Sequence, residues 1–424
     1  MTRWMTGAAA LFAGTGLAAA QDAVQLSVLV DNSPASIAQV EALTEAYTAA
    51  HPGVTFDIEI RPGSIEGDNI VKTRLATEEM SDIFYYNSGS LFQALAPERT
   101  LVELTDEPFM ENVEESFLPV VTAPGGGVYG VPLGPGFAGG ILYNRAVYDD
   151  LGLEVPATWD AFMENNAAIA EAGLVPIVQT YRDTWTAQLL MLGDYYNVEA
   201  AAPGWHERYT GNEAKFASDA AALKGFERLQ EAFEAGYFNE DFGAASYDDG
   251  LRMLASGEAA HYPMLSVAVG PIAETYPDSL GDIGFFGQPG DDPEANGATI
   301  WLPNAIYVPQ SSENREAALD VLAFAASVEG CEAVLEGSGP TGPYLIKGCE
   351  LPEDVPPAVA DLEPYFGDPE RSWPALEFLS PVKGPALPQL TVEVGSGIRS
   401  AQDAAAIYDE DVRKQALQLG LEGW

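Results

Sequence analysis

The sequence predicts an α/β fold in two lobes, each a mainly parallel sheet flanked by helices. The segment 24–86 reads strand, helix, strand, helix, strand, the order of a parallel sheet with helices on its faces. The mature chain has roughly 400 residues, more than one hydrophobic core usually serves. The stretch 125–153, GGGVYGVPLGPGFAGGILYNRAVYDDLGL, is dense in Gly and Pro. Such a segment suits a crossing between lobes, where backbone dihedrals must change.

The chain opens with MTRWMTGAAALFAGTGLAAA, one Arg ahead of a small and apolar run ending in Ala18-Ala19-Ala20. This predicts a signal peptide over 1–20, cut before Gln21, and an exported protein. VQLSVLV (24–30) is then a strand, and Ser33-Pro34 marks a helix start, cap followed by first helical position. Ile37, Val40, Leu43 and Tyr47 recur at helical spacing until His51-Pro52-Gly53 ends the helix. VTFDIEI (54–60) alternates Val54, Phe56, Ile58 and Ile60 with polar residues, a half-buried strand. A helix around 65–78 and the strand DIFYY (82–86) follow.

Ligands of open α/β sheets bind outside the carboxyl ends of the strands. Here those ends carry Asn32 with Ser33, and Asn87 and Ser88 with Ser90, small polar residues that also cap helices. Beyond the crossing, Thr158 is the expected cap of a helix in which Trp159 and Phe162 pack inward. Helices are expected over 186–193, 218–235 and 311–327, and a loop over 237–250. NAIYVPQ (304–310) is a further strand, and 351–424 is Pro-rich until about residue 390 and then helical.

The formal charge of -45 excludes a basic nucleic-acid footprint and a polybasic membrane patch. It favours a neutral or cationic ligand, and would equally suit a salty habitat. Cys331 and Cys349 are expected to form a disulfide in an exported chain, worth about 3 kcal/mol in the chain-entropy model. No zinc spacing, nucleotide-binding glycine loop or nucleophile elbow occurs, so no cofactor is expected. With 64 acidic residues, carboxylate pairs arise by chance and carry no argument for glycoside hydrolysis. The adjacent tyrosines Tyr85 and Tyr86 point to opposite faces of a strand and make a poor pair for iron.

What stands out is a set of aromatics in loops or near strand ends: Tyr181, Trp185, Trp205, Trp301, Tyr344 and Trp373. A sugar presents an apolar C–H face for rings to cover and a hydroxyl edge that needs polar partners. QTYRDTWTAQ (179–188) supplies both, with Tyr181 and Trp185 around Arg182 and Asp183. The competing reading makes Arg182 and Asp183 a capping pair and Trp185 core.

Several motifs resemble the extracellular solute-binding proteins of bacterial ABC importers, in the branch that carries oligosaccharides. They are KTRLATEEMSDIFYY (72–86), GGVYGVP (126–132), LYNRAVYDDLGLEVPATWDAF (142–162), GEAAHYP (257–263) and NREAALDVLAFAAS (314–327). The third is the most specific. YYNSGSLFQAL (85–95) and SPVKGPALPQLTVEVGSG (380–397) resemble the multiple-sugar or raffinose-type members. The resemblance implies the periplasmic-binding-protein fold, with the ligand in the interlobe cleft. The lobes would comprise 21–135 with 300–340, and 136–299 with 341–424. It further implies a periplasmic, monomeric carrier of a neutral mono- or oligosaccharide that hands its ligand to membrane permease subunits. By position it points to Asn32, Asn87 and Ser88 on one lobe, and to the Tyr181–Trp185 segment and Met264 on the other. Where many members place an aromatic, this chain has Leu265-Ser266-Val267, so Trp205 or Trp301 is expected to replace that platform; Tyr344 is a further candidate ligand contact. An exported carbohydrate-active enzyme, and a carrier of a polyol or glycerol phosphoester, are the alternatives.

Overall fold

A computed structural model of the chain describes Met1 and residues 24–63, 65–366 and 368–424. The export segment expected over 1–20 lies, Met1 apart, outside the described residues. Among those residues no helix is long and apolar enough to cross a membrane.

The strands in chain order are β1 Val24–Asp31, β2 Val54–Arg61, β3 Ile83–Tyr86, β4 Val131–Pro132, β5 Phe137–Asn144, β6 Val175–Ile177, β7 Ala259–Leu265, β8 Ile283–Gly287, β9 Ala298–Trp301, β10 Ala305–Tyr307 and β11 Ser372–Pro374. They form two sheets. The first runs β2-β1-β3-β10-β4; the second runs β11-β9-β5-β7-β6, with β8 also paired to β5. In the first, β1, β2 and β3 are parallel and β10 runs against both β3 and β4. In the second, β5 runs against β7, β8 and β9, while β6 and β11 follow β7 and β9. Each sheet therefore has a single reversed strand, and in each it is the strand that follows a crossing from the other sheet.

Local chemistry explains the first elements. The helix Pro34–Ala50 starts at its proline, whose fixed φ suits the first helical position. Ser33 holds the cap place, but its side chain caps nothing; its N–H instead bonds Asp31 Oδ1 at 2.9 Å. Thr158 does cap the helix Trp159–Glu171, accepting the Ala161 N–H at 3.2 Å. In β2 the expected alternation fails at its end: Ile60 is exposed and Arg61 buried. β2 is an edge strand, and the Arg61 guanidinium lies over the Tyr86 ring of β3 at 5.2 Å.

The apolar core under the first sheet runs on into one face of the second, through Leu142, Tyr262 and Met264. The other face, with Ile141, Tyr143 and Phe286, packs against the helices Ala220–Glu234 and Ala401–Leu419. Successive residues of β5 thus serve opposite faces, as strand geometry requires. In the helix Ala220–Glu234 the buried positions Ala222, Gly225, Phe226, Leu229 and Ala232 keep the helical period.

The chain passes between the sheets at 133–136, at 302–304, and again after Cys349. Cys331 and Cys349 are joined, which ties the helix Val328–Ser338 to the segment 344–349. That segment stays beside the first sheet: Glu114 N–H donates to Leu345 O at 3.0 Å and Lys347 N–H to Asn112 O at 2.7 Å. Only later does the helix Pro357–Ala360 pack on β8 of the second sheet. Residues 344–349 thus pack beside the first sheet, and the helix Pro357–Ala360 beside the second.

Candidate functional site

Strand direction locates the site. β4 leaves the first sheet at its carboxyl end and runs parallel to β1, β2 and β3, so their carboxyl ends face the second sheet. β9 leaves the second sheet at its own carboxyl end and shares its direction with β6 and β7, whose carboxyl ends therefore face the first. Both sets of turns open on the same gap, where ligands of open α/β sheets bind. Between the lobes lies a cavity of about 520 Å³. Gly89, Ser90, Gln93 and Val120 line it from one side, and Glu377, Phe378, Leu419 and Leu421 from the other.

On the first lobe the turns brace one another. Asn32 is exposed, and its Oδ1 accepts the Gly63 N–H at 2.8 Å, joining the β1 and β2 ends. Asn87 is half-buried, and its backbone carbonyl accepts the Tyr307 hydroxyl at 3.1 Å. Ser88 is buried and donates to Pro303 O at 2.9 Å, which ties β3 to the return crossing. Ser88 is thus occupied structurally, whereas Asn32 is exposed and Asn87 half-buried. Burial pushes the Tyr85 and Tyr86 phenols up, and the Tyr85 hydroxyl bonds Gln39 at 3.1 Å.

On the second lobe the 179–188 segment divides. Tyr181 turns inward, edge-on to Phe242 at 5.3 Å and against Gly395, and burial pushes its phenol up. Thr180 Oγ1 lies 2.7 Å from the Tyr262 hydroxyl and anchors the turn to β7. Asp183 Oδ2 accepts the Tyr247 N–H at 2.7 Å, at the first turn of the helix Tyr247–Ala255. Arg182 is exposed. Trp185 is 40 % exposed, and its ring meets that of Tyr247 at 5.3 Å, tilted by 51°. The structure therefore brings Arg182, Asp183, Trp185 and Tyr247 together and sends Tyr181 into the core.

The other expected contacts are internal. Trp205 is wholly buried, stacked on Tyr209 at 4.9 Å with its indole N–H on Asp219 at 2.9 Å. Glu199 fixes its helix, accepting from Tyr195 OH at 2.7 Å, Gly204 N–H at 2.9 Å and His206 N–H at 2.8 Å. Burial pushes the Glu199 carboxyl up, but these hydrogen bonds and the nearby His206 outweigh it and hold it below the usual glutamate value. Met264 is core between the sheets. Trp301 lies against Gly139, where a Cβ would collide with its ring, and its N–H donates to Glu377 at 2.6 Å. Tyr344 is core and braces the outgoing crossing, pairing with Pro135 and bonding Ser338 at 3.1 Å. Trp205 and Trp301, the rings expected to replace the aromatic missing at 265–267, are both buried. The ring that the sequence did offer there is Tyr247. Ser246-x-x-Asp249 is a capping-box spacing, and the structure forms the box, which sets Tyr247, half-buried against the core, in the first turn of a helix.

Among the described residues no group of three His, Cys, Asp or Glu side chains is arranged to hold a metal ion. The cavity offers the amide of Gln93, the carboxylates of Glu98 and Glu377, the Arg99 guanidinium and the Phe378 ring, and Trp185 and Tyr247 do not line it.

The sequence matches the family of bacterial extracellular solute-binding proteins over residues 31–330. It is 22 % identical over 300 residues to a multiple sugar-binding protein of Streptococcus mutans, covering 69 % of each chain. It is 25 % identical over 329 residues to a lactose-binding protein of Rhizobium radiobacter, covering 73 % of this chain and 72 % of that one. Among solved structures, a chitin oligosaccharide binding protein superposes with a TM-score of 0.79 at 21 % identity, over 94 % of this chain and 100 % of that one. The solute-binding protein RafE in complex with raffinose gives 0.74 at 20 % identity, over 92 % and 98 %. With two sheets, three crossings and a gap between facing strand ends, the chain belongs to the bacterial extracellular solute-binding protein family.

Proposed function

We propose that this protein is the substrate-binding component of an ABC importer, which captures a neutral mono- or oligosaccharide between its lobes and delivers it to a membrane permease. The observation that carries this is that the strand ends of the two lobes face one gap; polar turns from one lobe and the Trp185–Tyr247 ring pair from the other would open onto it. The rings would cover a sugar face. Arg182, Asp183, Asn32 and Asn87 would meet the hydroxyl edge, since a hydroxyl desolvated without a partner costs about 1–3 kcal/mol. The net charge of -45 works against anionic ligands at long range. Relatives named for sugars support the same choice.

The lobes would move as 24–132 with 305–349, and 137–301 with 357–424, about the crossings. The open form admits the ligand, closure adds second-lobe contacts, and the closed form, a periplasmic monomer, docks the permease. The ligand leaves unchanged. A thermal-shift screen against lactose, raffinose, chitin oligosaccharides, polyols and glycerol phosphoesters tests this. A binding sugar at a hundredfold its Kd adds about 2.7 kcal/mol to the folded state and raises Tm. Shifts from polyols or phosphoesters alone would refute the sugar assignment.

A further inference from the structure

Ser88 and Gly89, consecutive residues of the first lobe, touch two different parts of the machinery. Ser88 Oγ donates to Pro303 O in the return crossing at 2.9 Å. Gly89, at φ 68°, lies against the second lobe: a Cβ there would sit 2.8 Å from the Glu377 carbonyl oxygen and 2.8 Å from Phe378 Cδ1. Such approaches are closer than real Cβ atoms make, and one of the partners is backbone. The Gly89 N–H is itself held by Val120 O at 2.8 Å, so the turn has little room to retreat.

Glu377, on the other side of this contact, is also fixed. Its Oε1 accepts the Trp301 indole N–H at 2.6 Å, and its Oε2 pairs with Lys383. Trp301 is the last residue of β9, at the mouth of the return crossing. Its ring lies on Gly139, near the start of β5, just past the outgoing crossing. One side chain thus links the interlobe contact to both crossings.

We propose that Gly89 and the Glu377–Phe378 turn form the closure stop of this protein, and that the Trp301–Glu377 hydrogen bond couples the stop to the crossings. Trp301, Glu377 and Gly89 are positioning residues: they set how near the lobes come and so the height of the ligand gap. The inference rests on the closure reading above but not on the identity of the ligand. Any side chain at 89 holds the lobes apart, because the Glu377 carbonyl it meets is backbone and cannot turn aside as a flexible side chain can.

Single-molecule energy transfer tests it, with dyes on Thr73→Cys in the first lobe and Glu171→Cys in the second, both exposed. Records are taken without ligand and with lactose or raffinose. A minor closed state is visible this way even without ligand. The wild type should visit a shortest separation that both Gly89→Ala and Phe378→Trp lose. Phe378→Trp adds bulk from the opposite lobe and leaves the strained Gly89 backbone untouched, so it decides if Gly89→Ala fails to fold. Trp301→Phe keeps the ring, loses the N–H, and should lower the closed population roughly fivefold. The proposal is overturned if both bulky variants keep the wild-type shortest separation, if Trp301→Phe leaves the population unchanged, or if the wild type shows no such state. A wild type that reaches this state while neither sugar changes its population keeps the stop and counts against those sugars as ligands.

Discussion

Trp185 and Trp205 stand in neighbouring segments of the second lobe and meet opposite fates. Trp205 is wholly buried, stacked on Tyr209, with its N–H on Asp219. Trp185 is 40 % exposed beside Tyr247, in the segment that follows β6. A buried indole whose N–H is satisfied stabilises the fold. An indole left partly in water does so only weakly, and its exposed face is available to a ligand. The comparison separates residues that hold the second lobe together from residues that meet what enters the gap.

The largest effect expected is on the buried side. Trp205→Ala should destabilise the protein by about 3–5 kcal/mol in a urea titration, the usual range for emptying an aromatic site. Sugar affinity of the remaining folded fraction should stay unchanged; a loss of affinity at full stability would reverse the assignment. Glu199 comes next. Its carboxyl is held below the ordinary glutamate value in the folded state, so its stabilisation is present above that value and fades as pH falls through the folded one. Thermal melts of the wild type should therefore drop below about pH 4.3. The drop should be shallower in Glu199→Gln, and parallel acid limbs would argue against the capping role.

On the exposed side, Trp185→Ala should change stability by no more than about 0.5 kcal/mol. It should weaken sugar binding about tenfold, the scale of an aromatic contact. Calorimetric titration beside a melt reads both, and the opposite pattern would move Trp185 into the core. The smallest effect on binding is expected of Asp183→Ala. It removes the acceptor for the Tyr247 N–H, a capping loss of about 1 kcal/mol. Because the same change frees Tyr247, the sugar affinity of this variant should also fall; unaltered affinity would detach Tyr247 from the platform.

Much of the frame was legible in the sequence. β1, β2 and β3 and the helices between them follow from local alternation, helical spacing and Pro34, and Thr158 caps its helix as its position suggested. Burial of aromatics was harder, because distant partners decide it. Trp205 needs Asp219, Trp301 needs Gly139 and Glu377, and Tyr344 needs Pro135 and Ser338. None of those pairings leaves a periodic trace. Tyr181 and Trp185 stand in one short turn, yet Gly395 and Phe242 draw the first inward while Tyr247 keeps the second at the surface. The Ser246–Asp249 capping box is readable in the sequence and marks the helix start that carries Tyr247, within the stretch 237–250 whose composition otherwise reads as loop.

The central claim is that this chain holds a neutral sugar without altering it. Native mass spectrometry of the protein incubated with an equimolar mixture of lactose, raffinose, chitin oligosaccharides, polyols and glycerol phosphoesters tests it directly. The account predicts a one-to-one complex with a neutral sugar, recovered at its original mass after denaturation. Retention of a phosphoester or polyol alone, or recovery of the sugar as cleaved fragments, would contradict it.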